Sequence, residues 1–312
     1  VPNQLTGIFE TLIAPAAIEA AAALKYTKAT LGSIFWDYQS THGSIGQTLN
    51  VNIPVVNQGD TSDIGSGPLQ PSDTDHTTVA IVISNHPSVS FIIRDWDKVR
   101  TPVQLRTLYM QPKLESLLRY TDQLLTSQIT PANFNYYPPV TSTVANEFAR
   151  ADLATMWANL AQAGVPVYDS GNLFMLTNPV VYSTMFADQS FYQAYVVGET
   201  AAEQIQQKAL VVPQLNAVVK FDQQIGKDVN SKQTGLFFHK YAMAGLCVVP
   251  PSNKGIGPIE ETYIRPVGDA PGFVVQVQAQ YDIMEQGTVI NMHTMLGTKV
   301  TRPEYGSYGH TM

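Results

Sequence analysis

The segment Asn50–Ser84, NVNIPVVNQGDTSDIGSGPLQPSDTDHTTVAIVIS, limits what this chain can become more than any other. Its ends alternate apolar and polar residues, with Val51, Ile53 and Val55 on one arm and Val79, Ile81 and Ile83 on the other. A period of two is the mark of strands buried on one face, so the ends read as the arms of a hairpin. Between them, residues 57–76 hold three Gly, two Pro, four Asp and only two large apolar side chains, Ile64 and Leu69. Such a loop buries almost nothing by itself. A two-stranded ribbon that leaves its domain is marginal in water. The arms therefore need a covering surface, and the expectation is that another molecule supplies it.

The rest of the chain alternates helix and strand signals. Thr6–Tyr26 reads as helical at its centre, where Pro15 can start a helix and Ala16–Leu24 are good helix formers. Pro87–Asp95 continues the second arm as a strand with Val89, Phe91 and Ile93 on one face. Gln104–Ile129 carries Met110, Leu114, Leu117, Leu118, Leu124 and Leu125 at helical spacing, and Pro112 should kink it or mark where its regular part begins. A further helix over Ser142–Ala163 ends at Gly164, Val165 and Pro166. Leu173–Leu176 is a strand, Asn178 and Pro179 open a helix, and Glu199–Lys208 forms another. Ala217–Phe221, Phe237–Val249, Phe273–Asp282 and Val289–Arg302 read as strands from their Val, Ile, Tyr and Phe content. The fold class is α+β.

Chemistry is hard to find in this sequence. Six histidines, His42, His76, His86, His239, His293 and His310, show no zinc-motif spacing. No P-loop, dinucleotide fingerprint or nucleophile elbow occurs, and Gly43–Gly46 and Gly306–Gly309 read as turns. The acids Asp60, Asp63, Asp73 and Asp75 lack the offsets and closing Glu of a calcium loop, and read as solvated turn residues. No cofactor, no metal and no catalytic residue is expected. Cys247 is the one cysteine, so no intrachain disulfide forms, and its apolar setting implies an inert thiol suited to a reducing compartment. No segment has the roughly 20 apolar residues of a membrane helix, so a soluble chain without a membrane partner is expected.

Charge carries more information. Formal net charge is -7, which argues against a dedicated nucleic-acid binder. Charged residues are only 14% of the chain, a low share that suits a surface facing other protein. From Ala29 to Ile93 there is no Lys or Arg, but five Asp. From Arg94 to Arg119 there are six basic residues, among them Arg94, Arg100, Arg106, Lys113 and Arg119. A negative ribbon and a positive following segment are complementary between copies, where they would set docking register.

This order of parts resembles the major capsid proteins of tailed phages with the Hong Kong 97-type fold. Asn50–Ile83 is similar to their extended loop, Ser88–Asp95 to the strand entering the peripheral domain, and Leu105–Ile129 to the spine helix. Phe238, His239, Lys240 and Ala242 resemble the family's late strand. Gln280–Asp282, Thr288–Ile290, Met295–Gly297 and Arg302, Pro303 and Glu304 are similar, in that order, to the ending common in coat proteins of short-tailed phages.

The resemblance implies an N-terminal arm over 1–46 and an extended loop over 47–84. It implies a peripheral domain in two parts, 85–137 with the spine helix at about 103–129, and 249–312, around an axial domain over 138–248. It implies a virion subunit that assembles in the host cytoplasm as hexamers and pentamers around double-stranded DNA, which it touches non-specifically. A portal, a separate scaffolding protein and a cement or decoration protein are the further partners. Candidate interface residues are Asp60, Asp63, Ile64, Leu69, Asp73 and Asp75 on the loop, the five basic residues above, and Arg302 and Glu304. For Arg302, packing of the final strand within the chain is an equal alternative. No Lys lies between Lys28 and Lys98, which excludes the covalent crosslinking some members perform from this loop. From the length, neither a large inserted domain nor an N-terminal scaffold segment is expected. The alternative is an encapsulin-like nanocompartment shell enclosing cargo enzymes, and a hydrolase is the weakest reading.

Overall fold

The structure is a computed structural model. It describes residues 29–39, 45–54, 76–95, 106–136, 148–169, 171–187, 210–212, 216–227, 231–248, 259–264 and 274–311. The expected helices Thr6–Tyr26 and Glu199–Lys208 lie outside them. In chain order the strands are β1 (Phe35–Gln39), β2 (Thr48–Pro54), β3 (His76–Val82), β4 (Ser88–Arg94), β5 (Asn135–Tyr136), β6 (Leu173–Thr177), β7 (Leu210–Val212) and β8 (Ala217–Phe221). They continue as β9 (Thr234–His239), β10 (Met243–Val248), β11 (Ile259–Ile264), β12 (Val275–Asp282), β13 (Gly287–His293), β14 (Met295–Val300) and β15 (Gly306–His310). The helices are α1 (Gln111–Thr126), α2 (Arg150–Gln162) and α3 (Pro179–Ala187).

Among the described residues these form three sheets and a ribbon, ordered β1-β10-β14, β11-β12-β13-β4, β5-β15-β9-β6-β8-β7, and β2-β3. The class is α+β, as the sequence predicts. Helix α1 lies against β4 and β13 of the four-stranded sheet. The helix expected over Gln104–Ile129 is α-helical only over Gln111–Thr126, with Pro112 in its first turn, where a missing N–H costs nothing, and a π-helical turn, Arg106–Met110, precedes it. Leu114, Leu117, Leu118 and Leu125 are fully buried on its inner face, each contributing about 1.5–3 kcal/mol by leaving water. Tyr109 stacks on Phe91 of β4 at 6.3 Å between ring centroids.

Helices α2 and α3 flank the six-stranded sheet. At the start of α2, Asp152 accepts a hydrogen bond from the Ala149 amide at 2.9 Å. Its end is the expected glycine stop, with Gly164 at φ +77 and the Val165 amide bonded back to the Leu160 carbonyl at 3.1 Å. Asn178 caps α3 through Oδ1, which accepts from the Val181 amide at 3.0 Å, and its Nδ2 donates to Gln233 Oε1.

Three expectations are corrected. Phe237–Val249 is not one strand but parts of two, β9 and β10, separated by a 3-10 turn, Lys240–Ala242, and belonging to different sheets. Val289–Arg302 divides likewise into β13 and β14. There Thr294 leaves both ladders because its hydroxyl donates to the Val274 carbonyl at 2.7 Å while its amide donates to the Pro87 carbonyl. Gly306–Gly309 is not a turn but most of β15, paired with β5 and β9. A Cβ on Gly306 would lie 2.4 Å from the Phe134 ring, so the glycine serves close packing within a buried strand. The short strands β1, β5, β7 and β11 are added to those read from the sequence.

Candidate assembly interface

The ribbon is an antiparallel pair in which Leu49 stands opposite Ile81, Val51 opposite Val79 and Ile53 opposite Thr77. Strand β3 then lies on the chain's own three-stranded sheet. Ile81 and Ile83 are fully buried there among Ala244, Leu246, Val248 and Met295, with Phe35 and Val79 against the cluster. This corrects the expectation that the arms need another molecule: the base of the ribbon is covered from within. The approach is possible because residue 297 is glycine. A Cβ there would stand 2.4 Å from the Val82 carbonyl oxygen, a backbone atom that cannot swing aside. Lys299 Nζ adds a hydrogen bond to the Ala80 carbonyl at 3.0 Å. The loop candidates Asp60, Asp63, Ile64, Leu69, Asp73 and Asp75 lie outside the described residues, as does Arg100.

The basic candidates divide among different elements. Arg94 ends β4 and stands 3.6 Å from Glu285, both exposed. Arg106 lies in the π-helical turn before α1. Lys113 and Arg119 lie on the outer side of α1, where Arg119 pairs with Glu115 one turn earlier at 2.9 Å. Exposed pairs of this kind contribute about 0–1 kcal/mol to the subunit. Leu108 and Tyr120 are large apolar side chains exposed beside these cations. Near Arg94, the β12–β13 hairpin turn presents Ile283 and Met284 at 77% and 91% exposure. The sequence signal for that tip was two apolar residues in a turn between Asp282 and Gly287.

Arg302 and Glu304 part company. Glu304 is exposed, whereas Arg302 is buried with its guanidinium 4.8 Å above the Tyr305 ring. Of the two roles weighed for Arg302, the intrachain packing is the one visible. Tyr305 meets His239 edge-on at 5.8 Å, and His239 in turn lies beside Tyr241 at 5.3 Å. The Thr301 and Arg302 amides both donate to the Ala242 carbonyl, at 2.9 and 3.3 Å. The two motifs that stood out in the sequence, around His239 and around Arg302, are thus packed together. They form a double crossing where β9 passes into β10 and β14 into β15, between the six-stranded and three-stranded sheets. His239 Nε2 is 3.5 Å from Asp169 Oδ2, too far for a strong hydrogen bond, and burial holds its pKa below the usual imidazole value. Arg302→Ala should cost the subunit about 1–2 kcal/mol in urea unfolding, through lost stem packing and cation–π contact. Glu304→Ala should stay within about 0.5 kcal/mol, and equal losses would contradict this placement.

Among the described residues no group of three His, Cys, Asp or Glu side chains could hold a metal ion. No described helix is long and apolar enough to cross a membrane. Cys247 is buried, its thiol pKa pushed up by burial, and its sulfur lies 3.3 Å from the Thr294 hydroxyl.

No protein-family model matches the sequence, and no curated protein matches it. Solved structures do match in fold. The capsid of Ralstonia phage GP4 superposes with a TM-score of 0.60 at 14% identity, over 92% of this chain and 89% of that one. The capsid structure of the cyanophage P-SCSP1u gives 0.57 at 13% identity, over 93% and 90%. The mature capsid of bacteriophage PhiM1 gives 0.54 at 9% identity, over 93% and 89%. With its long helix on a four-stranded sheet, its six-stranded sheet beyond the double crossing and its two-stranded ribbon, the chain has the Hong Kong 97-type fold of tailed-phage capsid proteins.

Proposed function

We propose that the chain is the major shell subunit of a tailed phage, assembling as hexamers and pentamers into an icosahedral virion capsid around double-stranded DNA. The observation that carries this reading is the likeness in fold to three phage capsids, at a TM-score above 0.5 and spanning about nine tenths of both chains in each case. The axial domain, 138–248, holds α2, α3 and β6 to β9 of the six-stranded sheet, which β5 and β15 complete from the peripheral parts of the chain. The peripheral domain corresponds to α1 and the four-stranded sheet.

Function in this reading is mechanical. The ribbon base is fixed on its own subunit by Ile81 and Ile83, so the ribbon is a preset lever and not a free arm. The acidic loop beyond it reaches a neighbouring copy and docks near cations such as Lys113 and Arg119. Ordering a Gly- and Asp-rich loop costs about 1–2 kcal/mol per residue in backbone entropy, and burial of Ile64 and Leu69 at a neighbour offsets part of that. A net charge of -7 keeps the shell from gripping phosphate, so DNA is held by confinement. A scaffolding protein, a portal and a cement protein act with it.

Electron microscopy and sedimentation of the full chain, alone and co-expressed with the scaffolding protein from its own gene cluster, test the proposal. Closed shells, tubes or rings of five and six are the expected result. Uniform monomers under both conditions would overturn it. Terminase and portal genes beside this one fit the DNA shell, whereas an adjoining peroxidase or ferritin-like gene would replace DNA by cargo enzymes.

A further inference from the structure

The ribbon strand β3 is continued by β4 through a joint, residues 83–87, and the opposite strand bends at the same level between β13 and β14. The two bends are laced together. The Asn85 amide donates to the Leu296 carbonyl at 3.1 Å, the Leu296 amide returns to the Asn85 carbonyl at 2.9 Å, and the Thr294 amide donates to the Pro87 carbonyl at 3.2 Å. Beside this lacing, His86 Nε2 lies 2.9 Å from His293 Nδ1, with the rings edge to face at 5.1 Å. His293 is 6% exposed, while His86 faces solvent. A short N···N contact of this kind requires one ring nitrogen to donate and the other to accept. It cannot survive when both rings carry two protons.

We propose that the His86–His293 contact is an acid-opened latch that holds the ribbon joint against β13 at neutral pH and releases it when His293 takes up a second proton. Among the described residues, the titratable groups acting on His293 are His86 from the joint and Glu261 from β11. Burial is the strongest influence and His86 the next, both disfavouring the imidazolium, and Glu261 only partly opposes them. Together they bring the His293 pKa down to about 4. In an open joint His293 titrates near the ordinary value of about 6.5. The open form therefore binds more protons between these two values, so the closed latch is fully favoured above 6.5 and loses ground as pH falls toward 4. From pH 7 to pH 5 the opening equilibrium rises about twentyfold.

Hydrogen–deuterium exchange of the full chain at pH 7 and pH 5, corrected for intrinsic exchange rates, reads this directly. Peptides covering 83–87 and 293–297 should exchange about twentyfold faster at pH 5, with the centre of α1 unchanged. His293→Gln, which can still hydrogen-bond but does not titrate, should abolish the difference. His86→Ala, at an exposed position that leaves the fold intact, should show raised exchange in these peptides already at pH 7. A wild-type change below about twofold, an undiminished change in His293→Gln, or wild-type protection in His86→Ala would each overturn the proposal.

Discussion

Gly297→Val is expected to lower the stability of the subunit by about 3 kcal/mol and to loosen the ribbon on its seat. Two of the three atoms nearest to a Cβ at this position are the Val82 carbonyl oxygen and carbon, at 2.4 and 3.0 Å, and the third is Ile81 Cγ2 at 2.9 Å. Side-chain ends can rotate away from such an intruder, but a paired strand backbone must move as a body. Strand β3 would have to lift from β14, uncovering Ile81 and Ile83, each of which is stabilised by about 1.5–3 kcal/mol through burial. Gly309→Ala provides the contrast. Its nearest neighbours are the Phe148 ring edge at 3.1 Å and the Met156 methyl at 3.3 Å, which give way more cheaply, so a loss of about 1 kcal/mol is expected. Urea midpoints at unchanged m-value measure both, and a Gly297→Val subunit as stable as the parent would show that the ribbon does not sit where it is described.

Assembly should respond to a change that leaves the subunit's stability untouched. Reversing Asp73 and Asp75 to Lys is expected to reduce shell yield at least tenfold, against little change for the same reversal at Asp188. The charge partition motivates this: no Lys or Arg lies between Ala29 and Ile93, and six basic residues follow within the next 26 positions. One exposed charge pair contributes at most about 1 kcal/mol, which a monomer would scarcely register. A closed ring repeats each contact around its axis, so the same small term, summed over a hexamer, reaches about 6 kcal/mol. Light scattering during assembly, with circular dichroism melts of the unassembled variants as the control, separates docking from folding. Equal yields for both reversals would remove the docking role of the loop.

Much of the local structure was legible because it follows from neighbours in sequence. The alternation in residues 79–83 and 88–94 gives β3 and β4, and the leucine spacing gives α1, although the helix expected over Gln104–Ile129 is α-helical only over Gln111–Thr126. Which of the candidate interface residues face outward was not legible. Lys113 and Arg119 are both exposed on α1, whereas Arg302 is buried over Tyr305 and its motif neighbour Glu304 is exposed. Residues two apart at a bend face different surroundings, and nothing in their identities says which faces in.

Periodicity and turn chemistry determined by themselves that this is an α+β chain with a long leucine-rich helix and a two-stranded ribbon, because each depends on contacts within a few residues. Only the tertiary structure decided that the runs Phe237–Val249 and Val289–Arg302 each break between two sheets, that Gly306–Gly309 is a buried strand, and that the ribbon's base rests on its own subunit. Those outcomes depend on which distant surfaces meet. Apolar burial is non-directional, so the pattern marks a face as needing cover without naming the partner, and the choice rests on shape at single positions such as Gly297 and Gly306.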